Sequence, residues 1–282
     1  MSALPLPLLG ILCALLRPSA VLVRSTALEL AILAGHLLVY PTGVRQERRP
    51  PPPPPAAHDA SPAREDGEAD GDRLPVLLLH GFADNRSVFV LLRRSLHRHG
   101  WQDVDCLNFS PLTRDVRRAA AHLALHVDGL CARTGRERVD IVGHSLGGLI
   151  ARYYVQRLGG DSRVRTLVTL GTPHHGTRLA SLISLHPLAR QMRPASDVVT
   201  ELAAPAPGCA THFIGFWSDL DQIMVPVETA RIEHPDLDAR NVRVTGVGHL
   251  ALPVHGQVVA GIRQALTTRR PATGAAGAVS VA

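Results

Sequence analysis

Residues 143–147 read Gly-His-Ser-Leu-Gly, a serine between two glycines where an apolar run ends and a helical pattern begins. A serine hydroxyl is a poor nucleophile unless a base takes its proton. It must also be presented, and a sharp strand-to-helix turn does this with the backbone strained and Oγ exposed above the strand ends. Side chains at Gly143 and Gly147 would collide with neighbouring backbone in such a turn, so both positions must be small. The helix beginning at Leu146 aims its first N–H groups at the reacting centre and favours negative charge there.

The base is sought among fifteen histidines. His144 adjoins Ser145, but neighbours on a tight turn point in different directions. His249 lies in "NVRVTGVGHLALP", just past a predicted strand and after Gly246 and Gly248. That places it in a loop at the carboxyl end of a sheet, where ligand sites of α/β proteins lie. A third group must orient this histidine and stabilise its imidazolium. The strand in "FIGFWSDLDQIMVP" is followed by Asp219 and Asp221. Asp221 opens an apolar turn that would bury it, whereas Asp219 is expected to be solvated; Asp236 and Asp238 are further alternatives. Two backbone donors must face the developing oxyanion. Leu146 supplies one, and Phe82, in the loop "LLLHGFADN", is the natural second. His80 of that loop is expected to brace it rather than transfer protons. His174 and His175 are adjacent, and neighbours in sequence rarely converge on one ion, so no metal site is expected.

These residues need a scaffold. Short apolar runs at 74–79, 103–108, 138–143, 164–170, 211–217 and 241–246 predict strands. Helical faces separate several of them: Val88, Leu91, Leu92 and Leu96; Val116, Ala120, Leu123, Val127 and Leu130; and, last, Val258, Ile262 and Leu266. Alternation of this kind predicts a mainly parallel sheet covered by helices on both faces. Residues 178–208 are too long for a simple connection and carry helical patches, so a lid or cap is expected there. Its apolar face would line an acyl site or pack on the body.

The segments "LLLHGF", "VDIVGHSLGG", "VTLGTPHHGT", "SDLDQIMVP" and "GVGHLAL", in that order, resemble the small bacterial lipases and esterases of the α/β-hydrolase family, over roughly residues 74–268. The resemblance implies the α/β-hydrolase fold, an acyl-enzyme intermediate, no cofactor and carboxylic ester substrates. By motif it assigns Ser145 as nucleophile, Asp221 as acid, His249 as base, and Phe82 and Leu146 as oxyanion donors. An acyltransferase, thioesterase or amidase would keep the same triad. A membrane-tethered binding protein would keep the fold but has no need of the three residues.

The ends differ from the middle. Residues 1–40 hold two apolar runs, 3–16 and 25–40, each shorter than the roughly 20 residues a bilayer-spanning helix needs. They read as a membrane anchor or export signal, or as helices packed on the domain; an alternative reading joins residues 21–40 into one membrane-seeking helix interrupted by Glu29. Residues 41–72, with a proline run followed by small and acidic residues, read as a linker. The expected catalytic domain spans 73–270, and 271–282 reads as a disordered tail. Lys and Arg outnumber Asp and Glu by 30 to 24, which suits an anionic membrane surface. Arginine is scattered rather than clustered beside aromatic residues, which argues against nucleic acid. The expected partners are therefore an acyl ester or lipid and a membrane surface, with the protein itself a monomer, membrane-associated or secreted. Cys13, Cys106, Cys131 and Cys209 form no C-x-x-C pair, and a disulfide among the last three is open in an exported protein.

Overall fold

The computed structural model describes residues 20–44, 73–109, 113–182 and 185–268. Six strands form one sheet: β1 (Val76–Leu79), β2 (Val104–Leu107), β3 (Val139–His144), β4 (Val164–Leu170), β5 (His212–Ser218) and β6 (Asp238–Val244). Their order is β2-β1-β3-β4-β5-β6, and every neighbouring pair is parallel. The chain therefore builds outward from β1 in one direction, then reverses and builds from β3 in the other. A sheet with such a reversal opens a crevice at the carboxyl ends of the strands on either side of it. Here those strands are β1 and β3.

Strand alternation explains the two buried layers. Leu77 and Leu79 of β1, with Val139 and Ile141 of β3, join one apolar cluster. Helices α3 (Val116–Thr134) and α4 (Leu146–Arg157) pack into it. Val76, Leu78 and Val142 face the other cluster, under α2 (Val90–Arg98) and α7 (Gly256–Thr267). Helix α3 starts where the Asp115 carboxylate accepts the Arg117 and Arg118 N–H groups, and ends at Gly135 with φ 67°. The predicted strand positions hold to within one to three residues at each end. The largest difference is β6, which begins at Asp238 because this edge strand buries only Val244 and carries little apolar signal.

Three departures concern the rest of the chain. The expected lid contains α5 (Pro187–Gln191) and α6 (Asp197–Ala203), and its Leu188, Met192, Val198 and Leu202 pack into the main core. Leu182 and Leu185 stay exposed. Cys106, Cys131 and Cys209 are free thiols; Cys13 lies outside the described residues. Finally, the second apolar run is one continuous helix, α1 (Ala20–Gly43), 24 residues long. It takes in 41–43 of the expected linker; residues 45–72, residues 1–19 and residues 269–282 lie outside the described residues.

The elbow between β3 and α4 is the tightest packing in the sheet's mouth. A Cβ on Gly143 would fall 2.5 Å from the Gly148 backbone, and one on Gly147 would fall 2.3 Å from the Leu79 carbonyl oxygen. Both obstacles are main chain, and the latter belongs to the end of β1, so neither can swing aside. Gly147→Ala is expected to lower stability by about 3 kcal/mol. Urea unfolding followed by circular dichroism measures this, and an unchanged midpoint would contradict it.

Candidate active site

Four loops meet at the carboxyl ends of the strands. The loop after β1 carries Phe82, the elbow after β3 carries Ser145 and Leu146, the turn after β5 carries Asp221, and the loop after β6 carries His249. Ser145 has φ 51° and ψ −120°, a left-handed conformation strained for a residue with a Cβ. Neighbours hold it there. Its N–H donates to the Leu170 carbonyl at 2.9 Å, and the Thr172 hydroxyl donates to the Ser145 carbonyl at 3.0 Å. Ser145 and Leu146 are buried, and a Cβ on Gly81 would lie 3.3 Å from that of Ser145. The backbone of the β1 loop thus passes directly beside the serine.

His249 Nδ1–H donates to Asp221 Oδ2 at 2.7 Å, and both side chains are buried. The other carboxylate oxygen, Oδ1, accepts the Ile223 and Met224 N–H groups at 2.9 and 3.0 Å. Burial alone would raise the Asp221 pKa, but His249 and these two N–H groups hold it below the usual carboxylate value. For His249 the balance is the mirror image. Burial disfavours the imidazolium, yet the Asp221 charge and hydrogen bond win and raise its pKa above 6.5. Because Nδ1 carries the proton donated to Asp221, Nε2 is left as the basic nitrogen.

The other aspartates go elsewhere. Asp219 binds Arg243 and the Gly246 N–H, Asp236 accepts the Ala206 N–H, and Asp238 meets His212 on the edge strand. His80 is buried and accepts the Phe109 N–H on Nε2 at 3.1 Å, so its Nδ1–H donates to the Gly81 carbonyl at 2.8 Å. Burial lowers its pKa, and the two bonds tie down the loop that carries Phe82. Phe82 rests edge-on against the His186 ring at 4.9 Å between centroids. His174 lies fully buried between the Arg152 guanidinium and the Thr169 hydroxyl, and desolvation pushes its pKa far down. It serves as a neutral link in the core, and no cluster of three or more metal-ligating side chains occurs among the described residues.

Three participants escape the sequence reading. His144, beside Ser145, turns toward His249: the two imidazole centroids are 4.7 Å apart, and His144 Nε2–H donates to the His249 carbonyl at 3.3 Å. Asp84 pairs with the opposite nitrogen of His144 at 3.5 Å. Burial opposes the charge on Asp84, but His144 outweighs it and lowers the pKa. The third is Glu29 of α1, whose carboxylate accepts the N–H groups of Leu250 and Ala251 at 2.8 and 2.9 Å. None of these had a local signature beyond being polar beside a motif or within an apolar run.

The same segments are similar to known proteins. Residues 75–194 match the family model described as the alpha/beta hydrolase fold. A triacylglycerol lipase of Pseudarthrobacter phenanthrenivorans is 31% identical over 119 residues, covering 39% of this chain and 36% of that protein. Lipase 1 of Psychrobacter immobilis is 30% identical over 117 residues, covering 40% of this chain and 36% of that protein. The chain spans about a third of the length of the curated relatives it matches. Among solved structures, Aspergillus fumigatus lipase B superposes with a TM-score of 0.65 at 17% identity, over 86% of this chain and 68% of that one. A mature lipase of Bacillus licheniformis gives 0.61 at 16% identity, over 74% and 96% respectively. At such identities the two structures speak for the fold, an all-parallel six-stranded sheet with flanking helices. The chain has the α/β-hydrolase fold, matches that family's model over residues 75–194, and over part of its length is distantly similar to bacterial triacylglycerol lipases.

Proposed function

We propose that this protein is a serine hydrolase of carboxylic esters, acting on lipid-like acyl esters. The observation that carries the reading is the buried 2.7 Å bond from His249 to Asp221, on loops that leave the same ends of the strands as the turn holding the strained Ser145. In this reading His249 Nε2 takes the Ser145 proton as Oγ bonds to the acyl carbonyl carbon. The carbonyl oxygen becomes an oxyanion and is bound by the N–H groups of Phe82 and Leu146. The tetrahedral carbon collapses, the bond to the alcohol oxygen breaks, and the imidazolium returns its proton to that oxygen. Water, deprotonated by the same imidazole, then attacks the acyl-serine and releases the acid. The triacylglycerol lipase relatives support acyl esters of glycerol as substrate class. An acyltransferase, thioesterase or amidase shares the first half-reaction and differs in what attacks the acyl-serine.

Helix α1 supports a lipid surface as partner. Its less exposed residues, Ser25, Thr26, Glu29, Ile32, His36 and Gly43, recur at helical spacing along one face. The outward positions include Leu22, Leu30, Leu33, Leu37 and Leu38, all exposed. The helix is apolar around most of its circumference, with Ser25, Thr26, Glu29 and His36 turned toward the protein, and an exposed apolar surface of this kind marks an interaction surface. Acyl chains of a bilayer match it.

Ser145→Ala is expected to abolish p-nitrophenyl ester turnover and fluorophosphonate labelling with circular dichroism unchanged; undiminished turnover would sink the assignment. The base must be neutral to accept a proton, and its pKa is raised, so the acid limb of kcat/KM should lie above pH 6.5. Asp221→Asn removes the raising charge, so the residual activity should show that limb displaced to lower pH. A pH–rate series on both forms checks the sign. The triple change of Leu30, Leu33 and Leu37 to Gln should release the full chain from floating phosphatidylcholine–phosphatidylglycerol vesicles and leave soluble-ester turnover near the parent value. Undiminished flotation would exclude this face as the lipid contact. A parent that instead dimerises in buffer through these residues would identify a second copy as its partner.

A further inference from the structure

Helix α1 reaches the candidate site through one carboxylate. Glu29 is the only acidic residue of the helix, and both of its oxygens are spent on the loop that carries His249: Oε2 accepts the Leu250 N–H at 2.8 Å and Oε1 the Ala251 N–H at 2.9 Å. These are the two residues directly after His249, so the bonds fix the peptide that joins His249 to Leu250 and the one after it. The same loop is held on its other side by the His144 ring on the His249 carbonyl and by the Ser218 hydroxyl on the Val247 carbonyl. Glu29 therefore closes a clamp of which the other jaws belong to the hydrolase body. Gly248 makes room for it. A Cβ at that position would fall 2.4 Å from Glu29 Cδ and 2.5 Å from Cγ, so the carboxylate occupies the space where a side chain would stand. Gly248 has no positive φ, so close approach rather than backbone conformation is what the glycine provides.

We propose that Glu29 is a positioning residue for the base: α1 is a strap whose inner face completes the His249 loop, so turnover depends on the helix being seated. This rests on the ester-hydrolase reading of Ser145, Asp221 and His249 and adds the N-terminal helix to the machinery that reading uses. The strap is held by further polar contacts at both ends. Asn85 Nδ2 donates to the Tyr40 carbonyl at 2.9 Å, Asn108 Nδ2 to the Gly43 carbonyl at 2.7 Å, and Gln222 Nε2 to the Thr26 hydroxyl at 3.5 Å. Asn85, Asn108 and Gln222 follow β1, β2 and β5 respectively, so α1 crosses the carboxyl ends of the sheet.

The test uses the full chain and a soluble ester. Glu29→Ala should lower kcat at least about 10-fold with KM within about twofold, since a misaimed base slows chemistry rather than binding. Gly248→Ala should give the same loss by displacing the flexible carboxylate. In the Glu29→Ala background the Gly248→Ala change should cost nothing further, because the atoms it collides with are gone. Glu29→Gln should recover part of kcat through its one carbonyl acceptor. It should also move the acid limb of kcat/KM to lower pH. The charged or titratable groups around His249 are Asp221, Asp84, Glu29 and His144, and only the Glu29 charge is lost. A packing role alone would not shift that limb. Parent-level kcat in Glu29→Ala, or full additivity of the two changes, would overturn the proposal.

Hydrogen exchange separates its failure from failure of the ester-hydrolase reading. The Leu250 and Ala251 amides should be protected in the parent and in Ser145→Ala, and exposed in Glu29→Ala, whatever the chain hydrolyses. Unchanged protection in Glu29→Ala would overturn the strap even in an active esterase. Loss of protection in a chain that turns over no ester would retain the strap and reject the ester-hydrolase reading.

Discussion

Everything at the mouth of this sheet depends on two side chains that are not there. Helix α4 can follow β3 without an intervening loop only because Gly143 and Gly147 let its first turn rest on main chain, within 2.5 Å of where their Cβ atoms would be. That proximity puts the helix N-terminus, Ser145 and the backbone of the β1 loop into one crevice. The strain is local, a positive φ at Ser145, and is offset by bonds from β4 and the Thr172 hydroxyl. A looser turn would relax the serine and separate it from the β1 loop by the same movement.

The His249–Asp221 pair is held differently. A buried carboxylate is costly unless its lone pairs are used. Asp221 uses one oxygen for two backbone N–H groups and the other for His249, so it stays charged in a place that would otherwise neutralise it. Its charge then raises a histidine that burial alone would push down. His80 and His174 show the other outcome. They are equally buried but have no carboxylate hydrogen-bonded to the ring, and both are driven toward the neutral form. The difference between a basic histidine and a structural one in this fold is thus the partner on one ring nitrogen.

The same distinction explains which parts of the structure were legible in the sequence. Strand runs such as Val76–Leu79 were legible because burial on both faces leaves an unbroken apolar signal, and the strand-to-helix turn at 143–147 was legible because its glycines meet a local steric demand. Asp221 could be preferred over Asp219 because the apolar turn after it foretold burial, and the structure buries it while Asp219 pairs with Arg243 near the surface. Edge strand β6 was misplaced at its start because partial burial dilutes that signal. His144, Asp84 and Glu29 act through contacts between distant parts of the chain, and a single polar residue carries no periodicity. Glu29 even counted against its own helix, as an interruption of an apolar run.

That interruption makes sense once the two sides of α1 are separated. Packing the inner face buries little hydrocarbon beyond part of Ile32, so the docked helix gains little from the hydrophobic effect. Hydrogen bonds must hold it, each contributing about 0.5–1.5 kcal/mol net. The outer face keeps its leucines exposed in the docked state. Insertion of those leucines into lipid therefore does not compete with docking, because the two interactions use opposite sides of one helix. A spanning orientation would be different, since it would strip Glu29 of the Leu250 and Ala251 amides and carry its charge into hydrocarbon. For the lipid contact proposed above, the arrangement that would satisfy both faces at once has α1 lying along the bilayer surface, with the carboxyl ends of the sheet beneath it.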